Sequence, residues 1–387
     1  VNLGDGLHIS GHSEEARALV ADGLESLTAE GVSVRWVTLL LAEIEIDLGA
    51  WEQAAARLPA RRRRPVTNTD VNADLRRAEL ALGRGEQERA RELLGDVASA
   101  ADGMDEPQWH GVIGALRAEL ERREGDLDAA RAAVDEALDR IELCSDDVAR
   151  LARVAAVGVA VEADAAQRAR DLGEDDAARS AMKRAGALLE RVRLAALTDD
   201  TEPGGRPVER AWLATATAEH QRAAGADEPT RWEVAAAAWE ALGRPYPAAL
   251  ARFREAAAAS ALGDRELAAA AAGEALRIAH ALGAGWLAGE VEGLAARARL
   301  PLAAAAGAPA EPQAPEAVED PFGLTPRERQ VLELLARGAT NREIGAELFM
   351  AEKTASVHVS RILAKLDVRS RTEAAAVAHR LGLLATS

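Results

Sequence analysis

The stretch GATNREIGAELFMAEKTASVHVSRILAKLDV, residues 338–368, decides how the C-terminal part of the chain folds. It holds two runs with apolar residues at helical spacing, separated by a short turn. In the second run the apolar residues recur at intervals of four, three and four positions, which places them on one face of a helix. They are Ala355, Val359, Ile362 and Leu366. This face predicts a helix that packs on a small core.

The opposite face of that helix is basic or small. Ser356 and Ser360 are short enough to let the helix backbone approach base edges, and Val357 can contact a thymine methyl group. Two helices joined by a tight turn, the second with such a face, predict a helix-turn-helix whose second helix enters the major groove of double-stranded DNA. The residues expected to meet phosphates are Lys353, Arg361 and Lys365 on this helix, with Thr340 and Asn341 at the start of the preceding one.

Two further helices flank this pair. Thr325, Pro326 and Glu328 form a capping box with a proline start, and Thr340 with Glu343 forms a second box. A last helix is expected at about 372–381. The predicted inward residues are Val331, Leu332 and Leu335 in the first helix, Ile344, Leu348 and Phe349 in the second, and Ala375, Val377, Ala378 and Leu381 in the last.

Residues 324–383 resemble the LuxR-type helix-turn-helix of bacterial transcriptional regulators over about 60 residues without a gap. The resemblance implies sequence-specific DNA binding and a homodimer on DNA, with dimer contacts through the last helix. It also implies that the recognition helix carries Lys353, Thr354, Ser356, Val357, Ser360 and Arg361. The preceding LGRPYPAALARFREA and ALGDRELAAAA resemble the helical repeats of the large ATP-binding regulators of this family.

Four positions depart from the family pattern. Ala351 replaces a serine cap, Ala355 replaces a core valine, Gly345 replaces a helical alanine and Asp367 replaces a turn glycine. Each weakens the same small domain by about 1–2 kcal/mol or less. The sequence therefore leaves an alternative open, a helical-repeat interaction scaffold whose degenerate tail binds DNA weakly or not at all.

Residues 1–299 are expected to form degenerate tetratricopeptide-like helical repeats with a sensor or interaction role, so that the whole chain is all-α. One helix face is clearest in GDLDAARAAVDEALDRI, where Leu127, Ala130, Val134, Ala137 and Ile141 form a stripe. Helix ends are predicted where glycine follows Leu or Glu. These glycines are Gly49, Gly83, Gly125, Gly173, Gly243, Gly263 and Gly283.

A linker with five prolines, residues 300–321, separates this region from the DNA-binding domain at 322–387. The chain has 47 Lys/Arg and 64 Asp/Glu. From Phe322 onward there are ten Lys/Arg and seven Asp/Glu, a charge of +3, so the residues before Phe322 carry a charge of −20. A polyanion is repelled by the first part and tolerated by the second, so the acidic part is a candidate suppressor of non-specific DNA binding.

No phosphate-binding loop occurs, because none of the lysines at 183, 353 and 365 follows a glycine-rich loop. No cofactor is therefore expected, and the chain is predicted to be a fragment, the product of an internal start, or a short form without a nucleotide switch. Hydrolase and metalloprotease motifs are also absent, and the single cysteine, Cys144, excludes an intramolecular disulfide. A non-enzymatic cytoplasmic protein without membrane contact is expected.

Three features admit a binding role beside a structural one. The seven tryptophans suit core or groove-lining positions better than a ligand cage. His8 and His12 have the spacing of a metal pair, but exposed residues near a frayed end are favoured. The run RRRR at 61–64 suits a solvated loop or internal ion pairing better than nucleic acid. An effector, either a protein or a small molecule, is expected on the concave surface of the repeats.

Overall fold

A computed structural model of the chain divides into two compact units, Val1–Ala308 and Pro309–Ser387, called here the helical unit and the C-terminal unit. In the helical unit it describes residues 2–61, 65, 67–101, 108–144, 148–197 and 206–302. In the C-terminal unit it describes 331, 332, 334–337, 339–341, 343, 344, 359, 362, 363, 365, 366, 368, 371, 373 and 374. The division falls inside the predicted linker, whose bounds stay a prediction.

The described residues are mostly helical and contain no strand, as the abundance of strong helix formers predicts. The helices of the helical unit are α1 Asn2–Ile9, α2 Ser13–Ala29, α3 Arg35–Asp47, α4 Trp51–Arg57, α5 Asn68–Arg84, α6 Gln87–Ala101, α7 Gln108–Glu124, α8 Leu127–Cys144, α9 Val148–Leu172, α10 Asp175–Leu197, α11 Pro207–Ala223, α12 Pro229–Ala241, α13 Pro245–Ala261, α14 Arg265–Leu282 and α15 Gly285–Ala298. None of these helices is long and apolar enough to cross a membrane.

The helix ends follow local sequence signals, with one correction. The glycines at 49, 125, 173, 243, 263 and 283 adopt left-handed backbone angles, with φ between 66° and 83°, which confirms them as helix terminators. The break predicted at Gly83 is wrong, because α5 continues to Arg84 and Gly85 is the left-handed residue. Gly83 lies inside the helix, where a Cβ would come within 2.6 Å of the Trp51 ring, so close packing and not helix termination requires glycine at this position.

Most helices pack on the next helix along the chain, as α7 does on α8, α9 on α10 and α13 on α14. The stripe predicted for α8 is confirmed from Ala130 onward, since Ala130, Val134, Ala137 and Ile141 are all at most 2% exposed. Leu127 at its start is only partly buried. The alanine-rich faces allow close helix approach, so the core consists of many small contacts rather than a few large side chains.

The helical array closes on itself, so that early helices meet late ones. The turns at Gly11, Gly49 and Gly85 contact the starts of α11, α13 and α15, at Pro207, Pro245 and Trp286 respectively. The three glycines are 38 and 36 residues apart, and the three residues that they contact are 38 and 41 residues apart. Helix pairs are therefore spaced almost regularly along both parts of the chain. The tetratricopeptide-like assignment itself stays a prediction. The closure turns the inner surface of the array into the wall of a cavity.

Substitution of Gly49 by alanine tests this closure. A Cβ at Gly49 would lie 2.6 Å from Pro245 Cγ and 2.7 Å from Leu282 Cδ2, so the two sides must move apart. Gly263 has the same left-handed backbone, with φ of 82°, but no described residue lies within 4 Å of its Cβ position. Both alanine variants should lose about 1–2 kcal/mol of stability to backbone strain.

The Gly49→Ala variant should lose about 1–3 kcal/mol more than Gly263→Ala from overpacking at the closure. Urea unfolding of the two variants beside the unmodified chain measures the difference. Equal destabilisation of the two variants would show that the closure is loose.

Candidate functional sites

The C-terminal unit has a compact apolar core among its described residues. Nine of its side chains are at most 6% exposed. They are Val331, Leu332, Leu334, Leu335, Ile344, Val359, Ile362, Leu366 and Ala374. All predicted inward residues that lie among the described ones are thereby confirmed, and Leu334 and Ala374 are additions. Leu348, Phe349, Ala355 and the inward residues of the last helix lie outside the described residues.

Thr340 begins the second helix of this unit through the predicted capping box. The Glu343 backbone N–H donates to Thr340 Oγ1 at 3.3 Å, and the Thr340 backbone N–H donates to Glu343 Oε2 at 2.7 Å. The Thr340 hydroxyl also donates to that carboxylate, at 2.8 Å. The cap fixes the start of this helix.

Arg371 joins the last helix to the start of the second, an interaction that the sequence analysis missed. Its Nη1 donates to Asn341 Oδ1 at 3.1 Å and its Nη2 donates to the Ala339 carbonyl at 2.8 Å. Arginine near a helix start opposes the helix dipole, so its position there could have indicated a tertiary partner. The interaction holds the Asn341 carboxamide in one orientation, with its NH₂ group available as a donor.

Of the predicted DNA-binding residues, three lie among the described ones. Thr340 and Lys365 are exposed, and Asn341 is half-buried. Lys353, Thr354, Ser356, Val357, Ser360 and Arg361 lie outside the described residues, as do the four departures at Gly345, Ala351, Ala355 and Asp367. The structure therefore defines the frame on which the predicted recognition helix is held.

The second candidate site is a cavity of about 240 Å³ inside the helical unit. Helices from both ends of the array contribute to its wall, from α3 and α4 to α13 and α15. Five of the seven tryptophans line it, namely Trp51, Trp212, Trp232, Trp239 and Trp286. The expectation that tryptophans line a core or a groove is confirmed for these five, and their convergence on one cavity was missed.

Hydrogen bonds and ring contacts fix these aromatic side chains. Trp212 and Trp239 meet edge to face with ring centroids 4.9 Å apart, and Trp239 Nε1 donates to Thr215 Oγ1 at 2.9 Å. Trp51 meets Tyr246 in the same way at 5.2 Å. The walls are therefore rigid apolar surfaces with few free donors.

Arg123 of α7 lines the cavity and contacts residues of α5, α13 and α15. Its guanidinium lies 3.7 Å from the Trp286 ring centroid and donates to Glu119 at 2.7 Å, to the Leu82 carbonyl at 2.7 Å and to the Tyr246 hydroxyl at 3.1 Å. Burial raises the pKa of that hydroxyl. Closure of the array thus depends on polar interactions as well as on glycine turns.

Asp164 is the centre of a second group of charges beside the cavity. Its carboxylate lies 2.7 Å from Arg122, 2.7 Å from Arg222 and 3.7 Å from Arg254. Burial acts to raise the pKa of Asp164, but the three guanidinium groups outweigh it and hold that pKa well below its usual range. The carboxylate is therefore charged over the whole physiological pH range.

His8 belongs to a structural interaction and not to a metal pair. The predicted exposure of this residue is wrong, since it is only 5% exposed, with Nδ1 3.0 Å from Ser13 Oγ and Nε2 3.2 Å from Asp47. Asp47 also binds Arg244 at 3.0 Å, which links α3 to the turn before α13. No group of three or more metal-ligating side chains occurs among the described residues. His12 is exposed.

The first arginine of the run at 61–64 makes internal ion pairs. Arg61 lies 2.8 Å from Glu92 and 2.7 Å from Asp96, with Asp74 at 3.4 Å. The structural interpretation of this residue is confirmed, and residues 62–64 lie outside the described ones.

Comparison with known proteins places the C-terminal unit in a family. The model of bacterial regulatory proteins of the luxR family matches residues 323–378. Spore germination protein GerE of Bacillus subtilis is 46% identical over 61 residues, which cover 16% of this chain and 82% of GerE. The chain belongs to the LuxR family of bacterial regulatory proteins, and its C-terminal domain is a helix-turn-helix DNA-binding domain of that family.

Two longer relatives match in the same region. Transcriptional regulatory protein LiaR of Bacillus subtilis is 56% identical over 57 residues, 15% of this chain and 27% of LiaR. DNA-binding transcriptional activator DevR/DosR of Mycobacterium tuberculosis is 50% identical over 64 residues, 16% of this chain and 30% of DevR/DosR. The chain thus spans less than a third of the length of these two regulators, and the similarity leaves the helical unit uncovered.

Proposed function

We propose that the chain is a sequence-specific transcriptional regulator whose C-terminal unit reads the major groove of promoter DNA and whose helical unit receives the signal. The observation that carries the proposal is the family match over residues 323–378, supported by the description of DevR/DosR as a DNA-binding transcriptional activator. The names of LiaR and DevR/DosR are those of transcriptional regulators and not of enzymes.

The recognition helix is proposed to contact bases through Ser356, Val357 and Ser360, and phosphates through Lys353, Arg361 and Lys365. Asn341 is proposed to donate to a phosphate from the start of the second helix, and the hydrogen bond that its Oδ1 accepts from Arg371 at 3.1 Å supports this role because it leaves the NH₂ group as the donor. Thr340 and Thr354 complete the set. The buried stripe Val359, Ile362 and Leu366 supports this assignment, because it requires the opposite side of the helix to face away from the core.

A homodimer is proposed to bind two half-sites about 34–36 Å apart, one turn of the double helix. The charge of −20 before Phe322 favours the C-terminal unit as the part that meets DNA. An effector held by the helical unit would then change the spacing or freedom of the two C-terminal units.

Selection from random duplexes at moderate salt tests the proposal on the full chain. It should enrich one motif. Lys353→Ala should weaken binding to the motif and to random DNA alike, and should reduce the slope of log K against log salt by about 0.9 for each phosphate charge that is no longer neutralised. Ser356→Ala and Val357→Ala should instead change which bases are preferred. Binding isotherms at several salt concentrations measure both effects.

Lys183→Ala is the matched control, because Lys183 is an exposed lysine of the helical unit and its removal should change neither quantity. A selection without any enriched motif would contradict the proposal and favour the interaction scaffold with a degenerate tail.

A further inference from the structure

The cavity of the helical unit carries an excess of positive charge, although the chain before Phe322 is strongly acidic. Five arginines line it against four carboxylates. They are Arg122, Arg123, Arg153, Arg244 and Arg254, with Asp47, Glu79, Glu119 and Glu219. Behind the wall, Asp164 pairs with Arg222 at 2.7 Å, and the Asp227 carboxylate accepts a hydrogen bond from Trp232 at 2.7 Å. The excess of one positive charge therefore holds for the lining side chains alone.

Arg254 is the least closely paired of these five arginines. Its nearest carboxylates are Asp164 at 3.7 Å and Glu219 at 3.8 Å, and its guanidinium makes no hydrogen bond to the described residues. The same two carboxylates bind Arg222 at 2.7 Å. Burial lowers the pKa of Arg254, and the neighbouring Arg222 lowers it further, as expected for a cation whose charge is incompletely balanced. Its side chain is 23% exposed, into the cavity that it lines.

A second buried guanidinium donor also lacks a partner among the described residues. Arg244 lines the cavity and binds Asp47 through Nη2, but its buried Nε makes no hydrogen bond there. Buried donors are normally satisfied, so an unpaired one beside a cavity favours a ligand with acceptor atoms. Arg254 and Arg244 are both donors only, so the complementary group is an acceptor with negative charge.

The apolar part of the cavity wall favours a ligand with an aromatic ring. Tryptophan, tyrosine and phenylalanine rings give flat apolar surfaces, and Trp212 has an indole N–H without a hydrogen bond to the described residues. A dry cavity of about 150 Å³ already admits a benzene ring. The 240 Å³ found here therefore accommodates one or two fused rings with a short acidic side chain.

We propose that the cavity binds a small aromatic monocarboxylate, with its carboxylate on Arg254 and its ring among the tryptophans. A single loosely paired guanidinium matches a monoanion better than a phosphate dianion, and its planar group matches a carboxylate in a bidentate arrangement. The inference rests on the proposed function only in taking the helical unit as the part that receives the signal. Ligand binding itself is measured without DNA.

Isothermal titration of the full chain with three naphthalene probes tests the site. 2-Naphthylacetate should bind, because its carboxylate pairs with the Arg254 guanidinium. 2-Naphthylacetamide, which lacks the charge, should bind roughly tenfold to hundredfold more weakly. The cationic 2-naphthylethylamine should not bind measurably. In Arg254→Gln the acid should lose its advantage over the amide. In Arg254→Lys, which keeps the charge, part of that advantage should remain.

Two further variants keep the test independent of folding. Arg277→Gln removes an exposed arginine that pairs with Glu274 at 2.6 Å, and it should leave all three titrations unchanged. Val157→Phe fills the cavity from α9 and should weaken the acid and the amide together. Circular dichroism checks that each variant is folded, and the acid–amide comparison on the unmodified chain requires no variant at all.

Equal affinity of the acid and the amide, or an acid preference that survives Arg254→Gln, would overturn the assignment. Binding of 2-naphthylacetate by a chain that selects no DNA motif would refute the proposed function and leave this site standing. The reverse result, DNA selection without an acid preference, would refute the site alone.

Discussion

Replacement of Asp164 by asparagine is expected to lower the free energy of unfolding of the helical unit by about 3–5 kcal/mol. The carboxylate binds Arg122 and Arg222 at 2.7 Å each and lies 3.7 Å from Arg254. Removing its charge leaves three guanidinium groups close together and poorly hydrated, with Glu119 and Glu219 as their remaining acidic partners among the described residues. The destabilisation exceeds that of a surface pair because water cannot replace the missing charge.

Urea unfolding at pH 7, followed by circular dichroism, measures this change. Asp176→Asn is the matched control, since Asp176 pairs with Arg179 while its own side chain is 99% exposed. An exposed pair contributes about 0–1 kcal/mol, so this variant should unfold close to the unmodified chain. Equal destabilisation of the two variants would show that water solvates the arginines around Asp164, and that these ion pairs contribute no more than a pair at the surface.

Much of the fold follows from local sequence signals. Glycine after a helix predicts six of the seven proposed breaks, because glycine adopts the left-handed conformation without Cβ strain. Proline predicts the start of α13, because its fixed φ suits the first helical turn. The buried stripe of Val359, Ile362 and Leu366 follows from helical periodicity alone. The DNA-contacting residues depend instead on the family resemblance, since periodicity defines an outer face but not its use.

The closure of the helical unit could not be predicted in this way. Gly83 and Gly85 offer the same local signal, but Gly85 is the left-handed residue that ends α5, whereas Gly83 lies inside the helix and packs against the Trp51 ring. Arg123 and Tyr246 lie 123 positions apart in the chain, so nothing in their local sequence indicates that they meet. Long-range pairing of this kind also forms the cavity. The sequence therefore predicts that each tryptophan lines a core or a groove, but not that five of them line the same cavity.

Acidification is expected to destabilise the helical unit between about pH 5 and pH 2. Burial acts to raise the pKa of Glu119, but Arg122 and Arg123 outweigh it and lower that pKa to about 2. The pKa values of Asp47 and Asp164 are likewise lowered, by Arg244 and by the arginines around Asp164 respectively. Four other carboxyl groups, Asp5, Glu209, Asp227 and Glu255, have pKa values raised chiefly by burial and act in the opposite direction.

The direction follows from which state binds more protons. Near pH 4 the unfolded chain protonates the carboxyl of Glu119 while the folded chain keeps it charged, so its contribution is present above the unfolded pKa and is lost as pH falls through the folded one. For a pKa lowered from 4.5 to about 2, this contribution is roughly 3 kcal/mol.

Glu119→Gln should therefore be less stable than the unmodified chain at pH 7, and the two should converge near pH 2. Urea unfolding across that range measures the convergence, with Glu136→Gln as the control because Glu136 pairs with Arg140 at the surface. Curves for Glu119→Gln and the unmodified chain that stay parallel down to pH 2 would contradict the charge pairing around Glu119, and with it the polar half of the closure.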